Sequence, residues 1–304
     1  MQSAAEWLIF IALLTCGLVL RPLWRSVAGT TLRTAVGWGL VVWAAWCVTW
    51  SSTLLIPNLS PGILDQLWYW TVAISVIPAM AVLGARRPGH GAWNFFVLVP
   101  LLLVLGWPAL TVWTWQGPER LQIETPALIG FCLTILMGHG NYLSTRLALP
   151  ALLSGVSVLL SLSQFSTTFG TTWLSTPSIR SWGATGIVAT LIGVWIGTRP
   201  RPLTVPGAER VWSDFREAFG IVWAKRCLDR INQEFADRER WPAQLGPFGL
   251  EWTRSEVSSA ERAHLEARLE YALRWMLRRF VDPPWIQSRL PAPGNPSQPG
   301  SCQE

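Results

Sequence analysis

A chain of 304 residues that is 50% hydrophobic and only 14% charged falls well below the roughly 25% charge of a soluble domain. Its net charge of +6 is unevenly divided: eight arginines face Glu6, Asp65, Glu119 and Glu124 within residues 1–198, and the nearly balanced remainder lies beyond. Arginine flanking apolar runs belongs to membrane loops, so nucleic acid is not expected as a partner.

The first apolar run is 4–20, AAEWLIFIALLTCGLVL. A signal peptide would carry a basic start and a small-residue cleavage site. Glu6, the lack of Lys or Arg and the poor fit of Thr15 before Cys16 favour a transmembrane helix instead. Arg21, Arg25 and Arg33 follow it. A second helix is expected over 34–57, ending at Pro57. Inside it Trp43, Trp46 and Trp50 make an i, i+3, i+7 stripe that reads as helix packing rather than a ligand box. The loop from Asn58 to Asp65 has no basic residue. A third helix, 66–85, ends at Arg86-Arg87.

The fourth helix, 92–113, is the clearest. From Phe95 to Trp113 no residue is charged, enough to cross a hydrocarbon core of about 30 Å. A polar loop, 114–126, carries Glu119, Arg120 and Glu124. The fifth helix, 127–145, ends at Arg146 and the sixth covers 147–165. Their short connection around Arg146 and Pro150 leaves a re-entrant turn as the alternative to a full span. A Ser/Thr-rich loop at 166–181, which includes Arg180, precedes the seventh helix, 182–198, and Arg199-Pro-Arg201.

Basic residues fall on alternate connections. One side holds Arg21, Arg25 and Arg33, then Arg86 and Arg87, then Arg146, then Arg199 and Arg201; the other holds only Arg120 and Arg180. The positive-inside rule places the amino terminus outside and the carboxyl terminus in the cytoplasm. Gly193 and Gly197 form a GxxxG in the seventh helix, and Ser154, Ser157 and Ser161 line the sixth. Small residues of this kind allow close helix approach, within the chain or to another membrane protein. No internal repeat is visible, against an inverted-repeat transporter.

Residues 199–289 read as an amphipathic helical tail. One helix, about 207–238, carries Trp212, Phe215, Phe219, Trp223, Cys227 and Ile231 on a single stripe. A turn-rich link around Trp241-Pro-Ala-Gln-Leu-Gly-Pro-Phe-Gly follows. A second helix, about 259–281, starts at a capping-box sequence, Ser258 to Glu261, with Leu265, Leu269, Leu273, Leu277 and Phe280 as its stripe. An antiparallel hairpin burying both stripes is the simplest arrangement; the first helix lying on the membrane is the alternative. Trp212, Phe215, Phe219 and Trp223 are the candidate partner-binding face. Residues 290–304, mostly Pro, Gly, Ser and Gln, are expected to be disordered.

Chemistry is sparse. His139 and Asn141, in Met137-Gly-His-Gly-Asn-Tyr142, are placed inside the fifth helix, His139 about 10 Å along the axis from Arg146. Polar groups at that depth face the bundle interior, as a proton, ion or ligand site in the cytoplasmic half or as interhelical hydrogen bonds, the second being favoured. Arg86 and Arg87 read as a topogenic anchor, with an anionic headgroup site as the functional alternative. His264 is expected to be solvated. No Asp or Glu lies in the middle of an apolar run, and no phosphate loop, HExxH or GxSxG motif is present. The five cysteines form no CxxC pair, and His90 falls in a loop, so no metal, haem or other cofactor is expected.

Leu83-Gly-Ala-Arg-Arg-Pro-Gly-His-Gly-Ala-Trp-Asn-Phe-Phe-Val97 and Trp212-Ser-Asp-Phe-Arg-Glu-Ala-Phe-Gly-Ile-Val-Trp-Ala-Lys-Arg226 together resemble uncharacterised bacterial multi-pass membrane proteins with no assigned activity. The resemblance implies a bacterial inner membrane and a cytoplasmic helical tail, and carries no catalytic residues.

The expected protein is thus all-α: a polytopic integral membrane bundle of about seven transmembrane helices with a cytoplasmic helical-hairpin tail. The function that follows is a non-enzymatic membrane scaffold or complex subunit working through its tail. The alternatives are a small-molecule or lipid transporter using His139 and Asn141, and a membrane enzyme on lipid-linked substrates using Glu119, Arg120 and Glu124.

Overall fold

The computed structural model describes residues 3–112, 121–166, 175–199, 207–239, 243–252 and 258–290. The chain is mostly helical and forms two compact units, Met1–Arg199 and Pro200–Glu304. Residues 291–304, expected to be disordered, lie outside the described set.

In the first unit, α1 (Ala4–Ser26), α2 (Arg33–Leu55), Pro61–Leu83, Gly91–Thr111 and α9 (Thr176–Gly197) are long and apolar enough to cross a membrane. Their outward side chains are apolar: Leu18 is 79% and Val104 69% exposed. Such surfaces suit lipid rather than water, and the helices are those of a multi-pass membrane protein. The expected fifth and sixth spans are shorter: α7 is Thr125–Gly140 and α8 Ala148–Ser163. Sixteen residues each reach only about 24 Å.

Prolines and caps set the boundaries. Ser3 and Glu6 close a reciprocal capping box on α1. Pro61 sits in the first turn of α3 (Pro61–Ser75) behind the Ser60 cap, which starts that helix earlier than residue 66. Pro78 has no N–H to give one turn back, and the helix breaks at Val76 before α4 (Ile77–Leu83). The fourth span comprises α5 (His90–Trp93), a π-helical turn over Asn94–Leu98 just ahead of Pro100, and α6 (Val99–Thr111).

The Trp stripe of α2 binds its neighbours. Trp43 Nε1 donates to the Leu13 carbonyl at 2.8 Å, Trp46 to Ser75 Oγ at 3.0 Å and Trp50 to the Glu6 carbonyl at 3.0 Å. Trp46 and Trp50 both meet Trp68 edge-on at 5.6 Å. Gly17 leaves room for Trp43, whose ring would stand 2.7 Å from an added Cβ. Helices α8 and α9 form the closest seam. An added Cβ at Gly183 would meet Ser161, at Gly186 Ser157, at Gly193 Pro150 and at Gly197 Leu147. The GxxxG face is therefore used inside the chain, against α8.

The second unit is not purely helical. α10 (Ala208–Glu239) departs from helical geometry at Gly220, φ 79° and ψ 179°, a left-handed-region conformation that favours glycine. Where a turn-rich link is expected, β1 (Ala243–Gly246) and β2 (Gly249–Trp252) pair antiparallel, Ala243 opposite Trp252 and Gly246 opposite Gly249. Four-residue strands are too short for a two-residue period to register, and Pro247-Phe248 lacks the Asn-Gly signature of a tight hairpin. Asn232 of α10 holds β1 by donating to the Leu245 carbonyl at 2.8 Å and accepting its N–H at 2.7 Å. Trp212 Nε1 donates to the Gly246 carbonyl at 3.0 Å. α11 (Ser259–Leu277) starts at the Ser258 cap and packs its Leu265, Leu269, Leu273 and Leu277 inward; α12 (Pro283–Gln287) follows.

The α8–α9 seam makes a quantitative expectation. Gly186→Val should lower stability by about 1–3 kcal/mol, the usual penalty for overfilling a close contact, while Ile196→Val on the exposed face should be near neutral. Thermal unfolding of the detergent-solubilised protein, followed by Trp fluorescence, measures both.

Candidate functional site

Helix α7 ends at Gly140, so the expected helix to residue 145 is too long. Gly138 and Gly140 are poor helix formers, and the chain leaves through turns from Asn141. His139 is consequently in the last turn and Asn141 is the cap residue, not a mid-helix group. His139 is buried, and its Nε2 pairs with Ser154 Oγ of α8 at 3.0 Å. Its Nδ1 lies towards the Ile135 carbonyl one turn back, without a well-formed hydrogen bond. Gly155 abuts Ile135 and the His139 ring, and Gly138 abuts Ala79 of α4. Asn141 is also buried. The glycines around this pair admit neighbouring helices, α8 at Gly155 and α4 at Gly138, and the His139–Ser154 bond is interhelical.

Arg86 is exposed and Arg87 half-buried. They follow Ala85, whose carbonyl accepts from Thr31 Oγ1 at 2.7 Å, so this loop is tied to the α1–α2 connection. The His90 side chain, Glu119 and Arg120 lie outside the described residues; Glu124 is exposed at the N-cap of α7, where its side chain makes no capping bond.

The densest polar cluster went unread in the sequence. Arg180 Nη2 meets Asp65 Oδ1 at 3.1 Å, with the side chains only 13% and 17% exposed. Arg180 Nε donates to Gln164 Oε1 at 2.8 Å, and Gln164 Nε2 donates to the Ser161 carbonyl at 2.8 Å. The guanidinium lies 5.2 Å over the Trp68 ring. Nearby on α3, Gln66 Nε2 donates to the Ala109 carbonyl and Tyr69 Oη to the Leu105 carbonyl, at 2.9 and 2.6 Å. The sequence pattern places both charges in loops. Pro177 in the first turn of α9 and Pro61 in that of α3 put Arg180 and Asp65 on helices instead. The cluster ties α3, α8 and α9 together, and its groups face one another.

In the tail, Trp212, Phe215, Phe219 and Trp223 point inward. The first three are fully buried and Trp223 nearly so. Phe215 and Phe219 stack at 4.8 Å, and Phe280 meets Phe215, Phe219 and Trp223 edge-on at 5.0–5.4 Å. The expected partner face is thus interior to the unit. Arg289 donates to Asp214 Oδ2 at 2.8 Å and covers the Trp285 ring at 3.7 Å. Burial pulls Arg289 below the ordinary guanidinium value while Asp214 opposes that shift, and an arginine stays charged there.

Apart from Phe248 at the hairpin turn, the exposed large aromatics of the tail are on α11. Tyr271 is 64% and Trp275 41% exposed. Arg268 lies 5.9 Å from the Tyr271 ring and Arg278 5.3 Å from the Trp275 ring. Residues 268, 271, 275 and 278 follow helical spacing, opposite the buried leucines. Spacing alone could have found this face, since two aromatics recur where a solvated side needs none; His264 is exposed on it as expected.

No protein-family model, curated protein or solved structure matches this chain.

Asp65→Asn and Arg180→Gln should each destabilise the bundle by about 1–3 kcal/mol, below the cost of breaking a fully buried pair. The double variant should lose clearly less than the sum. A double-mutant cycle on thermal unfolding in detergent gives the coupling, and strict additivity would show that the pair contributes nothing jointly.

Proposed function

We propose that this chain is a non-enzymatic membrane scaffold or complex subunit, a multi-pass bundle that anchors a folded adaptor for a protein partner. The observation that carries the reading is the α11 face of Arg268, Tyr271, Trp275 and Arg278, exposed on a unit whose other large aromatics are mostly interior. Tyr, Trp and Arg are the side chains that most often dominate protein interfaces. Two guanidiniums beside two rings favour a partner surface bearing carboxylates.

The bundle supports the same reading by how its polar groups are used. His139 bonds Ser154, and Asp65 bonds Arg180. A transporter working through His139 and Asn141 would need these groups turned to a polar cavity, whereas both are buried and His139 is bonded to Ser154 of α8.

The topology we infer has seven crossings in a bacterial inner membrane, with α7 and α8 as short spans. The arginines at 21, 25, 33, 86, 87, 146 and 199 then share the cytoplasmic side with the tail, and the Asp65–Arg180 cluster falls at the outer side. A cysteine introduced at Glu266 should react with an impermeant maleimide only after the cells are opened; labelling of intact cells would reverse this orientation.

The partner reading is tested with the full-length chain cross-linked in its own membrane. Wild type should yield a stoichiometric adduct with a defined protein. Tyr271→Ala/Trp275→Ala should melt within a few degrees of wild type and lose the adduct at least tenfold, as loss of two anchors of about 1 kcal/mol each or more requires. An adduct that persists in the folded double variant, or none with wild type, would overturn the reading.

A further inference from the structure

A shallow, open groove lies between α1 and α2. Its volume is about 400 Å³ and it is lined by Trp24, Arg33, Thr34, Gly37, Trp38 and Val41. Arg33 is the first residue of α2 and Trp24 is in the last turns of α1. From Arg33, Gly37 and Val41 lie about 6 and 12 Å further along the span. The groove therefore runs from a cation at the helix end into the apolar zone.

Its floor is bare because of glycine. A Cβ at Gly37 would touch only Trp24, at 3.9 Å. Elsewhere in this bundle glycines bring a neighbouring element into contact, as at Gly84, Gly106 and Gly186. Here Gly37 leaves space on a face with exposed apolar walls: Trp24 is 39% and Val41 46% exposed.

The charge at the mouth is uncompensated. Between Glu6 and Asp65 the sequence contains no acidic residue, while Arg21, Arg25 and Arg33 fall together around the α1–α2 connection. Arg33 lies 5.9 Å from the Trp24 ring and makes no ion pair among the described residues. The first turn of α2 also has no side-chain cap, so its amide dipoles add positive potential at the same mouth. A cation at interface height above an apolar groove complements one ligand class, an anionic phospholipid.

We propose that the α1–α2 groove is a selective binding site for an anionic phospholipid, with the phosphate at Arg33 and an acyl chain along Gly37 and Val41 between Trp24 and Trp38. Arg33 supplies the charge preference, and the missing side chain at Gly37 leaves the groove open between Arg33 and Val41. Arg86 and Arg87 are not among the residues that line the groove.

Native mass spectrometry of the purified full-length protein tests it, with phosphatidylglycerol and phosphatidylcholine of identical acyl chains added to delipidated samples. Wild type should retain phosphatidylglycerol about fivefold more tightly, the effect of roughly one favourable charge at the interface. Arg33→Gln should abolish that preference without weakening phosphatidylcholine. Gly37→Leu, which fills the groove with little disturbance of the helices, should weaken both lipids. Equal retention of the two lipids by wild type, an Arg33→Gln protein indistinguishable from wild type, or an equal loss in Arg86→Gln would each overturn the assignment. So would a dimer that appears on delipidation and vanishes in Gly37→Leu, because the groove would then belong to a second copy of the chain.

Discussion

Inside lipid no water is present to satisfy a polar hydrogen, so each must find an oxygen within the protein. That constraint explains why α2 is central to the bundle. Three of its four indoles, at 43, 46 and 50, are large apolar bodies with one obligatory donor each. Their acceptors lie on α1 and α3: Leu13, Ser75 and Glu6. The Trp43 bond requires α1 to approach closely, and Gly17 permits it. One stripe thus sets two interhelical distances. The Ser3–Glu6 box keeps the start of α1 wound where the Glu6 carbonyl receives Trp50.

Apolar burial between helices gains little when the surroundings are equally apolar. Contact at the α8–α9 seam must come from close approach, and four glycines of α9 meet Ser161, Ser157, Pro150 and Leu147 in antiparallel order. Charge is placed at the edge of the same assembly. Asp65 and Arg180 occupy the opening turns of their helices, where some water remains and the desolvation cost of an ion pair is smaller than at mid-span. Trp68 joins both systems, taking Trp46 and Trp50 on its edges and Arg180 over its ring.

Helix existence was legible because apolar length is a strong signal; helix ends were not. Counting apolar residues put Asp65 and Arg180 in loops, since a charge looks like the end of a span. Pro61 and Pro177, standing at helix starts where the missing N–H is harmless, were the signal that would have moved both onto helices. The opposite error occurred at His139. An unbroken apolar run masks the effect of Gly138 and Gly140, so apolar length alone places the cap residue at 141 inside the helix. The Trp stripe was legible as packing because its spacing was helical. Its bonding partners were not, because Leu13, Ser75 and Glu6 are far away in sequence.

The tail shows why an aromatic stripe is ambiguous in a single sequence. Trp212, Phe215, Phe219 and Trp223 have the spacing of a membrane-surface helix, and equally that of an interior. Phe280 separates the two cases. It lies just beyond the end of α11 and closes over three of those rings. The β-hairpin completes the enclosure by accepting the Trp212 N–H at Gly246, and Asn232 fixes it by exchanging two hydrogen bonds with Leu245. Gly220 lets α10 change direction between its aromatic first half and the half that carries Asn232. With those rings interior, recognition by this unit has to rest on side chains that packing does not require. Tyr271 and Trp275 are such residues, because the leucines on the other face of α11 already supply its buried surface.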